Sequence, residues 1–318
     1  MKIFKASNFS YTPFNDFVEG DLSFLKMNGI EIVDSPWHSD VIISQNYKHL
    51  KKYFWLGCFG KSFLVWTLEP RFDLHFAKVK KVFFGLFKCH IMNVYTQDVF
   101  VTNLSVSSNN FNKSLELLPE EFELKTKKTI ALMSYFKGIE SPPIYRGGVD
   151  LDLLKLRAEI ALEGHQLGVL DVFGKGWPHN ISKEDSRTGN WKQRKRKLMN
   201  DYSFNLCFEN TVAKNYMTEK IWDSIENYCL PIYYGRGTTA YELFPKDSFI
   251  DYAEFSSPEA LFTFIQNMSD EDYRERMNKC IIVHNNIFDN KDIIASEERK
   301  KMLTKITDKM NYIQSLKR

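Results

Sequence analysis

The chain has 318 residues, 43% of them hydrophobic and 15% aromatic, and a net charge of +3. That length can carry two domain cores, and so small a charge gives no basis for nucleic-acid binding. Five cysteines (Cys58, Cys89, Cys207, Cys229, Cys280) share no CxxC or His/Cys spacing, which disfavours a zinc site or disulfide framework and fits free thiols in a reducing compartment.

Met1-Lys2-Ile3-Phe4 reads as the start of a strand rather than a leader, and no window reaches the roughly 18–20 apolar residues of a membrane span. A cytoplasmic location is therefore expected, with sequons such as Asn103-Leu104-Ser105 read as chance matches. Apolar runs at Lys2–Lys5, Val41–Ser44, Phe63–Thr67 and Ile91–Tyr95 are candidate strands. The aromatic segment Phe54–Phe87 reads as packed core, and Ser105–Ser114 as a polar loop. The charged run Glu120–Lys128 leads into an apolar strand at Ile130–Met133. A domain boundary is expected there, near 125–128, giving domains 1–126 and 127–292.

Leu151–Leu162 has apolar residues at helical spacing, Gly168–Gly174 reads as a short buried strand, and Trp177–Asn190 is turn-forming. Lys192–Leu198 reads as a basic helix whose run Lys192–Lys197 is a solvated face. Phe204–Phe208 is the next strand. It breaks at Glu209-Asn210, and a loop then leads to Tyr216-Met217-Thr218-Glu219-Lys220, an amphipathic helix and a strand at Leu230–Tyr234 closed by Gly235. That is the length of one βαβ unit, with its polar groups at the strand-end edge where open parallel sheets bind ligands. Beyond it come a helix at Thr239–Leu243, a strand at Phe249–Tyr252, helices at Pro258–Asn267 and Asp270–His284, and a basic amphipathic helix at Ser296–Leu316. The alternation argues an α/β protein with parallel sheets.

On residues alone, Glu219-Lys220 has two readings. A lysine in a first helical turn opposes the helix dipole and so calls for an anion, yet a charged pair on a helix is ordinarily solvated. Asp150-Leu151-Asp152 and Asp270-Glu271-Asp272 match a metal-chelating DxD pattern only superficially, because both precede helical runs where aspartate caps the backbone.

Glu209-Asn210, Tyr216–Lys220 and Pro231-Ile232-Tyr233-Tyr234-Gly235 together resemble the signature of the α-1,3-fucosyltransferases, glycosyltransferase family 10: a strand ending in FEN, a loop reaching YxTEK, and a strand reading PIxxG. The resemblance continues in Phe249–Phe255 and Ser257–Leu261. Upstream it includes Arg157 and Val169–Lys175, similar to the family's R…VDxxGK, with Leu170 intervening before Asp171. It covers roughly 130–277. Thr211, where the family commonly has serine, and Asn215, where it often has an acidic residue or glycine, depart from the pattern.

The resemblance implies a GT-B fold, two Rossmann-like domains facing across a cleft, with helix 293–318 returning to the first. It implies an inverting transfer of L-fucose from GDP-fucose to a GlcNAc hydroxyl of an oligosaccharide or lipopolysaccharide, with no required metal. Glu219 would hold the donor ribose, and Lys220 and Arg157 its diphosphate. Asn210, Tyr216, Glu209 and Thr218 would complete the pocket. Arg187, which matches no motif, is a second phosphate candidate. Glu69, ending Val65–Pro70, corresponds to the family's catalytic base, with His38, His75 and His90 as weaker alternatives. A transferase of another nucleotide-sugar and a non-catalytic nucleotide-sugar-binding protein remain open. The basic C-terminal helix has two readings, peripheral contact with anionic lipid and docking onto the first domain.

Overall fold

The computed structural model describes residues 1–7, 9, 12–72, 79–96, 99, 110–135, 143–185 and 190–316. His75, Arg187 and positions 105–109 of the expected loop lie outside them. The described residues gather into two compact units, one running to Val99 and adding the stretch from Asp292, the other running from Asn110 to Lys291.

The first unit is built on a six-stranded sheet of β1 (Lys2–Lys5), β2 (Glu31–Val33), β3 (Val41–Ser44), β4 (Ser62–Thr67), β5 (Val79–Val82) and β6 (Phe87–Asn93). Their order is β2-β1-β3-β4-β6-β5, parallel throughout except for β5 against β6. The central strands are unbroken apolar runs because both faces are covered: Val41, Ile42, Ile43 and Phe63–Trp66 are all buried. Helices α1 (Asp21–Met27) and α2 (Tyr47–Leu50) and a 3-10 stretch, Lys51–Phe59, supply part of that cover. The antiparallel β5 and the short β2 were not legible as periodic apolar runs.

The second unit has a five-stranded, wholly parallel sheet: β7 (Thr129–Leu132), β10 (Leu170–Phe173), β11 (Phe204–Leu206), β12 (Leu230–Tyr233) and β13 (Ile250–Asp251). Its order is β10-β7-β11-β12-β13. Numbered within the unit this is 2-1-3-4-5, a doubly wound Rossmann-like arrangement whose winding reverses between β7 and β11. The helices are α3 (Leu154–Gln166), α4 (Trp191–Met199), α5 (Glu219–Glu226), α6 (Ala240–Leu243), α7 (Pro258–Asn267) and α8 (Asp270–Asp289).

Two expectations are corrected here. The helix expected from Leu151 begins only at Leu154, after a hairpin of β8 (Tyr145–Arg146) and β9 (Val149–Asp150). Residues 151–153 instead pair with the loop after β11: Leu153 N–H donates to Asn210 O (2.9 Å) and Val212 N–H to Leu151 O (2.8 Å). The division between units also falls before Asn110 rather than near 125–128. Residues 110–127 run as a strap along the second unit. Asn285 and Asn278, seven apart on α8, each clamp one strap residue at both its N–H and its C=O, Leu115 at 2.8 and 2.8 Å and Leu118 at 2.7 and 3.1 Å. Phe122 stacks on Tyr273, with ring centroids 5.6 Å apart.

The last helix, α9 (Lys291–Ser315), belongs to the first unit beyond its opening residue. It buries Met302, Ile306, Met310 and Ile313 together with Glu298, Arg299 and Lys309. Arg299 forms a two-point buried pair with Asp21, Nε to Oδ1 at 2.8 Å. Most of its apolar face is thus taken up inside the unit, with Ile293 and Tyr312 left exposed.

Candidate active site

β11 ends at Leu206, and the chain continues extended through Cys207 and Phe208 to Glu209, all buried, at the carboxyl end of the strand beside the winding reversal. Open α/β sheets bind their ligands at that position. Glu209 is 3% exposed and satisfied from within the protein. Its Oε1 accepts from Thr218 N–H (2.8 Å) and Thr218 Oγ1–H (2.7 Å), and its Oε2 from Lys220 Nζ (2.7 Å). Lys220 Nζ donates a second bond to Thr218 Oγ1 (2.7 Å). An ammonium has three donors, so one N–H of Lys220 remains for a further acceptor.

Thr218 is the N-cap of α5, and Glu219 and Lys220 open the helix. The two side chains are 34% and 28% exposed, with Nζ 3.9 Å from Glu219 Oε1. Burial by itself would raise the Glu219 carboxyl, but Lys220 and Lys195 outweigh it and hold the group at about 2. Burial would likewise lower Lys220, and Glu209 and Glu219 more than reverse this, leaving it raised. The solvated helix pair is therefore set aside: Lys220 is a tethered ammonium.

Arg157, on α3, is buried, and its Nη1 donates to Phe208 O (3.1 Å). The pairing of residues 151–153 with the loop after β11 carries α3 to this edge. Arg157 is close enough to oppose protonation of Lys220. Two cations thus converge beside the start of a helix, an arrangement that suits a dianion. Asn210 is half-buried and its C=O accepts from Leu153, while Tyr216 is buried beneath the loop.

The basic run 192–197 is solvated at Arg196 and Lys197 but draws Lys195 inward. Lys195 pairs with Asp223 and Arg194 with Glu184, while Arg196 reaches Glu226 at 3.5 Å. Sequence reasoning missed Lys195, which adds positive potential at Glu219 from α4. Of the two DxD stretches, Asp150 Oδ1 accepts from Ile144 N–H (2.9 Å) and Asp152 N–H (3.0 Å), and Asp152 Oδ1 from Leu154 N–H (2.8 Å). Asp270 opens α8 and accepts from Leu124 N–H (3.3 Å). Among the described residues no cluster of three or more His, Cys, Asp or Glu could hold a metal. A cavity of about 320 Å³ lies along the same edge past β12 and β13, but its Asp251 is already engaged by Tyr241, Ala253 and Arg236.

In the first unit Glu69 is exposed two residues beyond β4, at the carboxyl end of the sheet, with its N–H donating to Thr67 Oγ1 (3.1 Å). His38 is exposed in the loop before β3. His90 is 4% exposed within β6, and burial, with Lys309 and Lys88, pushes it down to about 4. So enclosed a ring cannot reach a substrate hydroxyl.

The second unit is thus a doubly wound α/β domain with a carboxylate–lysine couple at its ligand-binding edge. Residues 155–279 match the model of glycosyltransferase family 10 (fucosyltransferase), C-terminal part. The "Alpha-(1,3)-fucosyltransferase FucT" of Helicobacter pylori is 36% identical over 74 residues, which is 23% of this chain and 15% of that protein. Human "GDP-fucose protein O-fucosyltransferase 3" is 29% identical over 161 residues, 50% of this chain and 32% of the relative. The chain spans less than a third of the length of either relative. A solved structure of an α1,3-fucosyltransferase aligns with 87% of this chain and 80% of its own length, at 17% identity and a TM-score of 0.48. Among the described residues no helix is long and apolar enough to cross a membrane.

Proposed function

We propose that this chain transfers L-fucose from GDP-β-L-fucose, with inversion, to a hydroxyl of a glycan acceptor, O3 of N-acetylglucosamine in an oligosaccharide or lipopolysaccharide. The observation that carries the reading is the Glu209–Thr218–Lys220 triangle at the start of α5, within the family 10 portion. In this reading Glu219, ionised at neutral pH, accepts from the ribose hydroxyls. Lys220, through its third N–H, and Arg157 meet the diphosphate and stabilise the charge that grows on departing GDP. Asn210 and Tyr216 complete the pocket. Glu209 and Thr218 act by positioning Lys220. Because lysine and arginine supply the positive charge, the reading needs no metal. Glu69 takes the proton from the attacking hydroxyl as the new bond forms at the anomeric carbon.

Calorimetric titration with GDP-fucose, GDP-mannose and UDP-galactose tests the donor, and an acceptor panel of N-acetylglucosamine glycans and hydroxyl-bearing peptides tests the acceptor. GDP-fucose should bind tightest, with transfer to the glycans. Tighter binding of UDP-galactose would overturn the donor assignment, and transfer to peptides alone would overturn the acceptor. Glu69→Gln should bind GDP-fucose as the parent does yet lose transfer, and near-parental turnover would remove Glu69 as base.

A further inference from the structure

We infer that the first unit carries a docking surface for an anionic lipid bilayer, formed by the β5–β6 turn and the aromatic side chains of the 51–59 stretch. The turn reads Val82-Phe83-Phe84-Gly85-Leu86-Phe87. Phe84 is 98% exposed and Leu86 69%, so two large apolar side chains stand in water at the tip of a hairpin. Phe83 and Phe84 both hold positive φ, 51° and 55°. That conformation suits Asn or Gly and is strained for a bulky aromatic side chain. Strained backbone of this kind persists where the position serves a purpose other than stability.

The tip is continuous with a second apolar group. Phe83 stacks on Phe87, with centroids 5.7 Å apart, and Phe87 lies so close to Gly57 that a Cβ there would meet its ring at 2.7 Å. On the same 51–59 stretch, half-exposed Trp55 and Phe59 meet Trp37 edge-on at 5.4 Å each. Lys61 Nζ holds the Trp37 loop by donating to Trp37 O (2.7 Å) and Ser39 O (2.6 Å). Phe59 and Leu86 lead directly into β4 and β6, and these strands are parallel, so the patch lies at the amino ends of the strands. Glu69 is at the opposite ends, so the patch is separate from the catalytic edge.

Charge identifies the occupant. Lys51, Lys81 and Lys88 are exposed around the patch, and none is ion-paired with a described carboxylate. Lys81 and Lys88 are direct cross-strand partners in the hairpin. Like charges in that register repel each other, and an anion laid over them relieves the repulsion. An apolar tip that inserts at the headgroup level, a pair of tryptophans and a collar of lysines together match the chemistry of an anionic bilayer surface. α9, the other candidate for lipid contact, buries Met302, Leu303, Ile306, Met310 and Ile313 inside the unit and leaves only Ile293 and Tyr312 as large exposed apolar side chains.

The test is co-sedimentation of the full chain with vesicles of phosphatidylcholine alone and of phosphatidylcholine with about 30% phosphatidylglycerol, which gives the surface a negative potential. The parent chain should pellet with the anionic vesicles and far less with the neutral ones. Phe84→Asp with Leu86→Asp should weaken that binding about tenfold or more, and Lys81→Gln with Lys88→Gln by a similar factor. Melting temperature and GDP-fucose affinity should be unchanged in both variants, which keeps this test separate from that of the donor reading. A parent chain that stays in the supernatant with both vesicles, or variants that bind as the parent does, would overturn the inference. So would a concentration-dependent dimer, seen by analytical ultracentrifugation, that Phe84→Asp abolishes while vesicle binding is absent. That result would assign the patch to a second copy of the chain.

Discussion

Lys220 owes its position to Glu209. Two of its three N–H donors are fixed by Glu209 and Thr218, and the carboxylate that fixes them is closed off from solvent. Glu209→Gln keeps the shape and the bond from Thr218 N–H but removes the charge. It should lower stability by about 1–3 kcal/mol, less than for a wholly buried pair because Lys220 is partly exposed. It should also weaken GDP-fucose binding, both effects being measurable by urea denaturation and calorimetry. Glu219→Ala should reduce donor affinity by about 1.5–3 kcal/mol, and unchanged affinity would remove its ribose role. Because Glu219 sits near 2, its carboxylate is ionised throughout the neutral range. The stability it contributes is present above the unfolded carboxylate range and is lost only as pH falls through that range toward 2. The types and spacing of these residues were legible in the sequence. Which atoms meet was not, since Glu209 and Lys220 stand on opposite sides of an irregular loop and nothing in their spacing shows that the glutamate turns inward. The ion pairs of the basic run 192–197 were not legible for a related reason: their acidic partners Glu184, Asp223 and Glu226 lie outside its own stretch of chain.

Among the elements, those with strong apolar runs were legible to within a few residues: β1, β3, β4, β12 and α7. Elements that exist because of a distant partner were not. The segment 151–153 has the periodicity of a helix and is drawn out of it by hydrogen bonds to 210–212, a tertiary pairing that helical periodicity cannot register. The strap 110–127 carries almost no regular structure, and its place is set by asparagine amides on α8. Asn285→Ala should free a buried strap segment at Leu115 and lower stability by about 1–2 kcal/mol. Amide exchange should quicken at Leu115 and at its neighbours on the strap, with α8 itself unaffected. Gly174, just beyond β10, has φ +151°, and a Cβ there would lie 2.2 Å from Met133 O. Gly174→Ala must shift backbone against backbone, and a loss of about 3 kcal/mol or more is expected from chemical denaturation.

Over the whole molecule, four of the five cysteines are buried and one, Cys58, is exposed. Burial pushes the thiols of Cys89 and Cys207 up to about 12 and raises Cys229 and Cys280 as well. A thiol reagent at neutral pH should therefore label one cysteine in the native chain and five after denaturation. His90 sets an acid limit on the first unit. Its folded value near 4 lies below the unfolded 6.5, so the unfolded chain binds the extra proton. Stability should fall as pH drops from about 6.5 to 4, by roughly 3 kcal/mol in all. His90→Phe should flatten that part of the profile.

The placement of α9 bears on the order of assembly during synthesis. The described residues of the second unit form one continuous stretch, whereas the first is closed by a helix that is synthesised after that stretch. Arg299 meets Asp21 across 278 positions of chain. Residues 110–291 can therefore collapse while the earlier strands are still uncovered on the face that α9 will fill. Ribosome-stalled chains ending near residue 290 should show a protease-resistant second unit beside a still-digestible first one, and resistance of the first unit should arrive only once α9 has emerged.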